Sequence, residues 1–563
     1  MKTFDSYDLL ITPLSPVHIG TGESYEPTNY VIEDDTLHEF DTGEVVELLS
    51  KADKDALLQA VDRRPNQDMI KAVQRFFYER RPALITHSRN SIPVLAGVAG
   101  LYHDRVGQTA QREESGRQII NRLEIDRTAF NPITRLPVLF GSSLKGAIRT
   151  ALLDAANGGQ SAPEKKGLHE FQGRLFRYRE QRLLLERDPM RLVQIGDAMW
   201  QGEPGLPAAE VHLAVNRKKA PVVDERGRLR ASQAEQRGLY QILECVPALH
   251  YRAFAARLNI QRVDGMGNAG ELPDSGLRFD IRRIARACND FYRPILMTEN
   301  QLLADRGFLR ESWRRTIEAL LTGEVGETLE RGEAFLLRVG RHSGAESVTV
   351  NGVRNIKIMK ARGQPPEYAS SAKTVWLAAG ERDQRKDMLP FGWLLVEILP
   401  ADSQQPHESD TLKTACEMHL ASARAWAARQ AEKASARAQA QAAQEARRQQ
   451  EEEQARLRAE QAARAAQAEA ERQARLAAMS EEERAIEELR TWLEADKAAG
   501  RNEPQGRLTN RLAELMRQAG AWEPAVRSQL ADLAEAIYGF VGWGSGKKKQ
   551  ERKARITELR SGK

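Results

Sequence analysis

Two patterns of apolar and polar positions divide the chain. Up to about residue 400, short β-branched and aromatic runs alternate with amphipathic stretches and with Gly and Pro punctuation, which predicts globular α+β structure. From about Leu412 to Met479 the sequence is dominated by Ala, Arg, Gln and Glu, with few large apolar residues and neither Gly nor Pro. These are strong helix formers, but the heptad positions hold Ala and charge, so the pattern predicts one long solvated helix without a coiled-coil seam, on the order of 100 Å long. A disordered linker is the alternative reading of that composition. Ser480 followed by Glu483 predicts a capping box, and Leu489, Leu493, Leu508, Leu512, Leu530 and Ile537 continue at helical spacing, which predicts a small helical domain. A glycine-rich stretch, Gly542-Trp543-Gly544-Ser545-Gly546, then leads to Lys547, Lys548, Lys549, Arg552, Lys553 and Arg555, expected as a flexible basic tail.

Composition changes the picture little. The 563 residues predict about three or more domains, and 41% hydrophobic against 29% charged residues fits a chain of which one part carries no core. The net charge of +5 suits a polyanionic partner without requiring one. Three scattered cysteines, Cys245, Cys288 and Cys416, exclude a disulfide framework and a Cys-based zinc site, and predict a reducing, cytoplasmic setting. Acids near the amino terminus and the absence of any run of about 18 apolar residues predict neither leader nor membrane span.

Three glycine-containing segments carry the candidate chemistry. In the first, an apolar strand runs into Pro16-Val17-His18-Ile19-Gly20-Thr21-Gly22, where Gly20 and Gly22 permit close backbone approach to a ligand. His18 would donate to a phosphate or stack on a base, or else be a buried structural histidine. Downstream, Glu33-Asp34-Asp35 is expected as an acidic hairpin turn facing water. In the second, a short strand turns at Gly141 and a helix opens with Ser142 or Ser143 as N-cap, its buried stripe being Leu144, Ala147, Ile148, Ala151 and Leu152. Lys145 and Arg149 lie one turn apart beside the helix start, a suitable phosphate site or simply surface cations. Lys145 precedes Gly146, so the spacing of a nucleotide-hydrolase phosphate loop fails and no nucleotide cofactor is expected. The third, Val339-Gly340-Arg341-His342-Ser343-Gly344, presents Arg341 and His342 between two apolar runs.

Together these segments, in this order, with Pro390-Phe391-Gly392-Trp393 after the third, resemble the RAMP superfamily of CRISPR proteins. The run Glu23-Ser24-Tyr25-Glu26-Pro27-Thr28-Asn29-Tyr30 after the first glycine loop resembles, within that superfamily, the fifth-subunit family of type III-A Csm effectors. The resemblance spans roughly residues 5 to 400. It implies two RRM-like (ferredoxin-like) RAMP domains with helical insertions, residues 1–190 and 191–400, ahead of the helical arm at 401–479 and the helical domain at 480–563. It further implies backbone contacts to guide RNA (crRNA) along the glycine loops, and a place capping the filament of RAMP subunits toward the 3′ side of the guide. The arm and terminal domain lie outside the family pattern.

The expected function is therefore non-catalytic RNA binding, through His18, Gly20, Gly22, Gly141, Ser142, Ser143, Lys145, Arg149, Arg341 and His342, with phosphate contacts supplying affinity. The expected partners are crRNA, other RAMP subunits and host nucleases, with no metal or cofactor. An endoribonuclease using His18 with Lys145 is the alternative from another class. A third reading makes the arm a scaffold that recruits partners.

Overall fold

The computed structural model describes residues 3–62, 67–108, 123–161, 168–177, 185–232, 235, 239–263, 272–360, 363–401 and 409–562. The chain forms two compact units, Met1–Arg437 and Ala438–Lys563.

The front unit has a mixed α/β build, as its sequence pattern predicts, around two mainly antiparallel sheets. The larger contains β1 (Phe4–Pro13), β7 (Val138–Leu139), β8 (Val193–Ile195), β9 (Ala198–Trp200), β12 (Phe254–Gln261), β13 (Ala334–Arg338) and β17 (Trp393–Pro400), in the order β13-β17-β1-β12-β9-β7 with β8 beside β12. The smaller has the order β16-β10-β11-β6-β2, from β2 (Gly20–Tyr25), β6 (Ile125–Thr128), β10 (Glu210–Lys218), β11 (Tyr240–Cys245) and β16 (Thr374–Ala379). Its β11–β6 pair is parallel. One continuous core joins the sheets: Leu9 and Ile11 of β1 belong to the same cluster as Val211, Leu213 and Leu243. All three cysteines are buried and unpaired.

The expected division at residue 190 does not separate the sheets. β1 lies between strands from the far side of that boundary, Leu9 pairing with Ala256 of β12 and with Ile398 of β17. Apolar strands of this kind bury both edges as well as a face, so the first strand completes its hydrogen bonds only with segments distant in sequence.

A third sheet, β3 (Tyr30–Glu33), β4 (Thr36–Glu39) and β5 (Asn90–Pro93), contains the predicted hairpin with its acidic turn. That turn keeps part of its surface in water, Asp34 being exposed, but its acids are also paired. The helix Ala421–Ala478 begins against it, with Arg429 on Asp35 (2.6 Å), Lys433 on Asp34 (2.8 Å) and Arg437 on Glu33 (3.5 Å). Trp426, 8% exposed, donates from Nε1 to Thr36 Oγ1 at 3.1 Å, and Gln430 donates to the same oxygen at 2.8 Å. Residues 426, 429/430, 433 and 437 recur every three to four positions, one face of a helix. The first turns of the predicted solvated helix are therefore seated on the front unit.

In the rear unit the same helix continues to Ala478 with its side chains exposed and with i,i+4 pairs such as Arg447–Glu451 (3.0 Å) and Arg464–Glu460 (2.8 Å). The capping box forms as predicted: Glu483 N–H donates to Ser480 Oγ (3.2 Å) and Ser480 N–H to Glu483 Oε2 (2.9 Å). Helices Glu481–Ala498, Arg507–Gln518 and Pro524–Val541 enclose a core of Leu489, Leu493, Leu512, Leu530 and Ile537. The expected flexible basic tail is instead a helix, Gly546–Ser561. Ile556 and Leu559, three apart, give it a buried stripe, and Arg560 pairs with Asp532 (2.5 Å) and Glu535 (2.7 Å). Among the described residues, no helix is long and apolar enough to cross a membrane.

Candidate nucleic-acid interface

β1, β13 and β17 meet at one end of the large sheet, and their connections clamp the first and third glycine segments together. After β1 the chain passes into the smaller sheet through Leu14–Ile19, all buried. Leu14 N–H donates to the Trp393 carbonyl (2.8 Å), Gly392 N–H to the Pro16 carbonyl (2.9 Å), and Val17 forms a bridge with Val246. His18 follows with no exposed surface. Its Nδ1 lies 2.7 Å from the Glu244 carbonyl, which only accepts, so Nδ1 carries the proton and Nε2 is left as an unpartnered acceptor behind Gly20. Burial holds its pKa below the ordinary histidine value. His18 is thus the structural histidine of the two readings, and the expectation that its ring reaches RNA is corrected: no part of the ring meets solvent.

What His18 offers the site is its backbone. Arg341 N–H donates to the His18 carbonyl at 2.8 Å, and a Cβ on Gly340 would stand 2.3 Å from that oxygen. Gly340 also has φ +80°, so the third loop passes this close only as glycine. Beyond the contact, β2 opens. Gly20 pairs with Thr128 and Ser24 with Asp126, so four steps on β2 match two on β6, and Gly22 takes φ +85° within the bulge. Gly20 to Glu23 are exposed as a result, at the edge of the smaller sheet.

Arg341 is exposed beside this edge and pairs with Asp126 of β6. His342, expected as a second contact, turns inward. It stacks on Trp376 with ring centroids 4.6 Å apart and planes 17° from parallel, and Nε2 hydrogen-bonds Gln241 Oε1 at 2.9 Å. Burial first, then the neighbouring Arg341 and His18, lowers its pKa to about 3. A neutral ring packed on Trp376 anchors the loop rather than neutralising a phosphate.

Beneath the edge lies a buried ionic cluster that the sequence reading missed. Glu244 of β11 accepts from the Tyr25 hydroxyl (2.9 Å) and from Thr128 N–H (3.1 Å), with Arg127 Nε at 3.9 Å. Arg127 also pairs with Glu39 (3.1 Å), and its guanidinium lies over the rings of Tyr25 (4.1 Å) and Phe130 (3.9 Å). Desolvation lifts the Glu244 carboxyl to about 7 against the opposing pull of Arg127. The available signal was an acid inside an apolar strand, Ile242-Leu243-Glu244-Cys245-Val246, which a stable core accepts only with partners.

The second segment stands apart. No hydrogen bond or ion pair among the described residues joins it to the two loops; the helix Ile281–Asp305 links them, Tyr292 donating to the Ala147 carbonyl (3.1 Å) and Glu299 accepting from Arg338 (3.0 Å) and Trp393 Nε1 (2.9 Å) beside the loops. Helix Gly141–Asn157 buries the predicted stripe. Its N-cap is Phe140, not Ser142 or Ser143, because Asp197 accepts from Gly141 N–H at 2.7 Å and takes over the capping role. A Cβ on Gly141 would stand 2.3 Å from the Ile195 carbonyl, so this glycine serves packing. Ser142 is exposed and Ser143 half-buried in the first turn. Arg149 is structurally engaged, with Asp188 (2.7 Å), Gln172 (3.3 Å) and the Phe176 ring (5.0 Å). Lys145 has no hydrogen bond or ion pair among the described residues, and burial lowers its pKa. It faces an open depression of about 520 Å³ lined also by Arg149, Glu186, Asp188, Met190 and Arg191. Among the described residues no group of three or more His, Cys, Asp or Glu is placed to hold a metal.

Comparison with known proteins adds a family match. Residues 10–282 match the model of the RAMP superfamily. No curated protein matches the chain. Among solved structures, a chain of a Csm–crRNA–target RNA ternary complex of a type III-A CRISPR-Cas system is 18% identical, with 70% of this chain and 100% of that one covered at a TM-score of 0.43. Csm5 of T. onnurineus is 16% identical, with 68% of this chain and 99% of that one covered at 0.39.

Proposed function

We propose, from the match of residues 10–282 to the RAMP superfamily model, that the chain is a non-catalytic RNA-binding subunit of a type III CRISPR effector complex. In this reading it holds crRNA toward its 3′ end, caps the filament of RAMP subunits and contributes to crRNA maturation and antiviral defence, with other subunits and recruited nucleases as partners. The observation that carries it is the backbone clamp between His18 and Gly340, which fixes the exposed Gly20–Glu23 bulge next to Arg341. An exposed glycine edge beside a cation meets the sugar-phosphate chain of RNA without reading its bases. Lys145 supplies a second phosphate contact and Ser142 a hydroxyl beside it, while Gly141, Ser143 and Arg149 shape that helix start.

The nuclease alternative drew His18 and Lys145 as an acid–base pair. The ring of His18 is buried and bonded to the Glu244 carbonyl, and no hydrogen bond among the described residues joins it to Lys145, which speaks against that pair.

The test is binding of a labelled single-stranded guide RNA across a salt series, with the integrity of the RNA read in parallel. Intact RNA and salt-sensitive binding are expected. Lys145→Ala and Arg341→Ala should each flatten the log–log salt slope by roughly 0.7, the value for one lost single-strand phosphate contact. Shortened RNA with the wild-type protein, or slopes unmoved by both substitutions, would overturn the reading.

A further inference from the structure

Beyond the third glycine loop the chain builds a separate two-stranded hairpin, β14 (Ile356–Ile358) with β15 (Glu367–Ala369), that belongs to neither main sheet. We propose that its outward face is a single-stranded RNA contact, with Tyr368 as a base-stacking platform and Lys357 as its phosphate partner. This rests on the RNA-binding reading above and adds to it a site that the glycine loops do not include.

Lys357 and Tyr368 are directly paired across the strands, so their side chains share one face. Alternation puts Ile356, Ile358, Glu367 and Ala369 on the other, half-buried face. The outward face carries Met359 at 75% and Tyr368 at 55% exposure, an unusual display for an aromatic on an isolated ribbon. Lys357 is exposed and has no hydrogen bond or ion pair among the described residues.

Charge identifies the occupant. Residues 354–373 include Arg354, Lys357, Lys360, Arg362 and Lys373 against one acid, Glu367. That acid is already held by Lys373 (2.8 Å) and Lys360 (3.6 Å) on the inner face. Residues 354–373 hold no second acid to repel a phosphate chain, and the exposed apolar side chains of the outward face are Tyr368 and Met359, which suits stacked bases better than a protein surface.

A hairpin of this size is marginal alone, and this one is braced. Glu346, just after the glycine loop, ties both legs: its carbonyl accepts from Arg354 (3.0 Å) and its Oε1 from Ala372 N–H (2.8 Å), while Lys219 pairs with the same oxygen at 2.6 Å. Asn351, at the hairpin's foot, donates to Asp154 near the end of the Lys145 helix (2.6 and 3.0 Å). The platform is therefore held in fixed relation to the Lys145 helix, the geometry needed for one strand to touch both.

The test uses the full chain, a fluorescent oligouridine and a duplex RNA of equal length. Tyr368→Ala should weaken oligouridine binding about tenfold at unchanged salt slope, Tyr368→Phe should retain it, and duplex binding should not respond. Lys357→Ala should flatten the slope by roughly 0.7. If wild type binds and Lys145→Ala weakens it but Tyr368→Ala does not, the hairpin proposal fails while RNA binding stands. If wild type binds no RNA, both fail. A change of oligomeric state in Tyr368→Ala with RNA affinity intact would also overturn the proposal, making the face a protein contact.

Discussion

The two ends of the β3–β4 hairpin both hold cations with carboxylates, and they do so in opposite solvents. At its root, Glu39 meets Arg127 and Arg135, and Arg127 and Glu39 are each only 8% exposed in their side chains. At its tip, Glu33, Asp34 and Asp35 meet Arg437, Lys433 and Arg429 with side chains between 31% and 70% exposed. The root has withdrawn its charges from water and depends on every partner being present. The tip pairs remain hydrated, so each contributes little and the seat of the long helix depends mainly on Trp426. The same residue types thus fix a framework at one end and an adjustable attachment at the other.

The contrast is broken most sharply at Arg127. Arg127→Ala leaves Glu244 buried without its cation and Glu39 with Arg135 alone, and we expect a loss of about 3–5 kcal/mol in the denaturation of the front unit. A smaller test at the same end uses pH. Burial raises the folded pKa of Glu244 to about 7 from the ordinary glutamate value of 4.5, so the folded state holds a proton that the unfolded state releases. Stability is therefore expected to fall as pH rises from about 4.5 through 7 and to level above that, by on the order of 3 kcal/mol. Glu244→Gln should remove that slope in urea midpoints measured across the range. At the tip, Trp426→Ala should release the start of the long helix at a cost of about 2 kcal/mol, read as faster amide exchange over residues 421–437. Smallest is Lys433→Ala, expected to cost about 0.2–1 kcal/mol in the same exchange measurement, an effect that fades at high salt.

What the sequence made legible was local. The stripe from Leu144 to Leu152, the Ser480/Glu483 capping box and the core of the terminal helices all follow from spacing within one helix or between successive ones. The need for unusual backbone at Gly22 and Gly340 was likewise visible as glycine in a loop after a strand. What stayed hidden was supplied from far along the chain. Asp197 caps a helix beginning 56 residues earlier, Glu244 orients a histidine 226 residues earlier, and Arg429 meets an aspartate 394 residues away. Polarity alone made Glu33-Asp34-Asp35 read as solvent-facing and Lys547-Lys548-Lys549 as a tail. In the first case distant cations pair with acids that stay partly exposed, and in the second a buried Ile556 and Leu559 make the tail a packed helix. Of the candidate contacts, Arg341 and Lys145 are available to a ligand by side chain, whereas His18 and His342 act through packing, a distinction that residue type does not encode.

The position of β1 also governs the order of assembly. Its hydrogen-bonding neighbours are β12 and β17, so this strand, synthesised ahead of both, waits for residue 261 on one side and residue 400 on the other. At cellular translation rates that interval is roughly 20–80 s. During it, an apolar strand with two open edges exists without its sheet, a state that favours chaperone capture and mispairing. A circular permutant that joins β1 after β17 would shorten the wait, and its refolding yield would show how much of the protein's fragility during synthesis comes from this one strand.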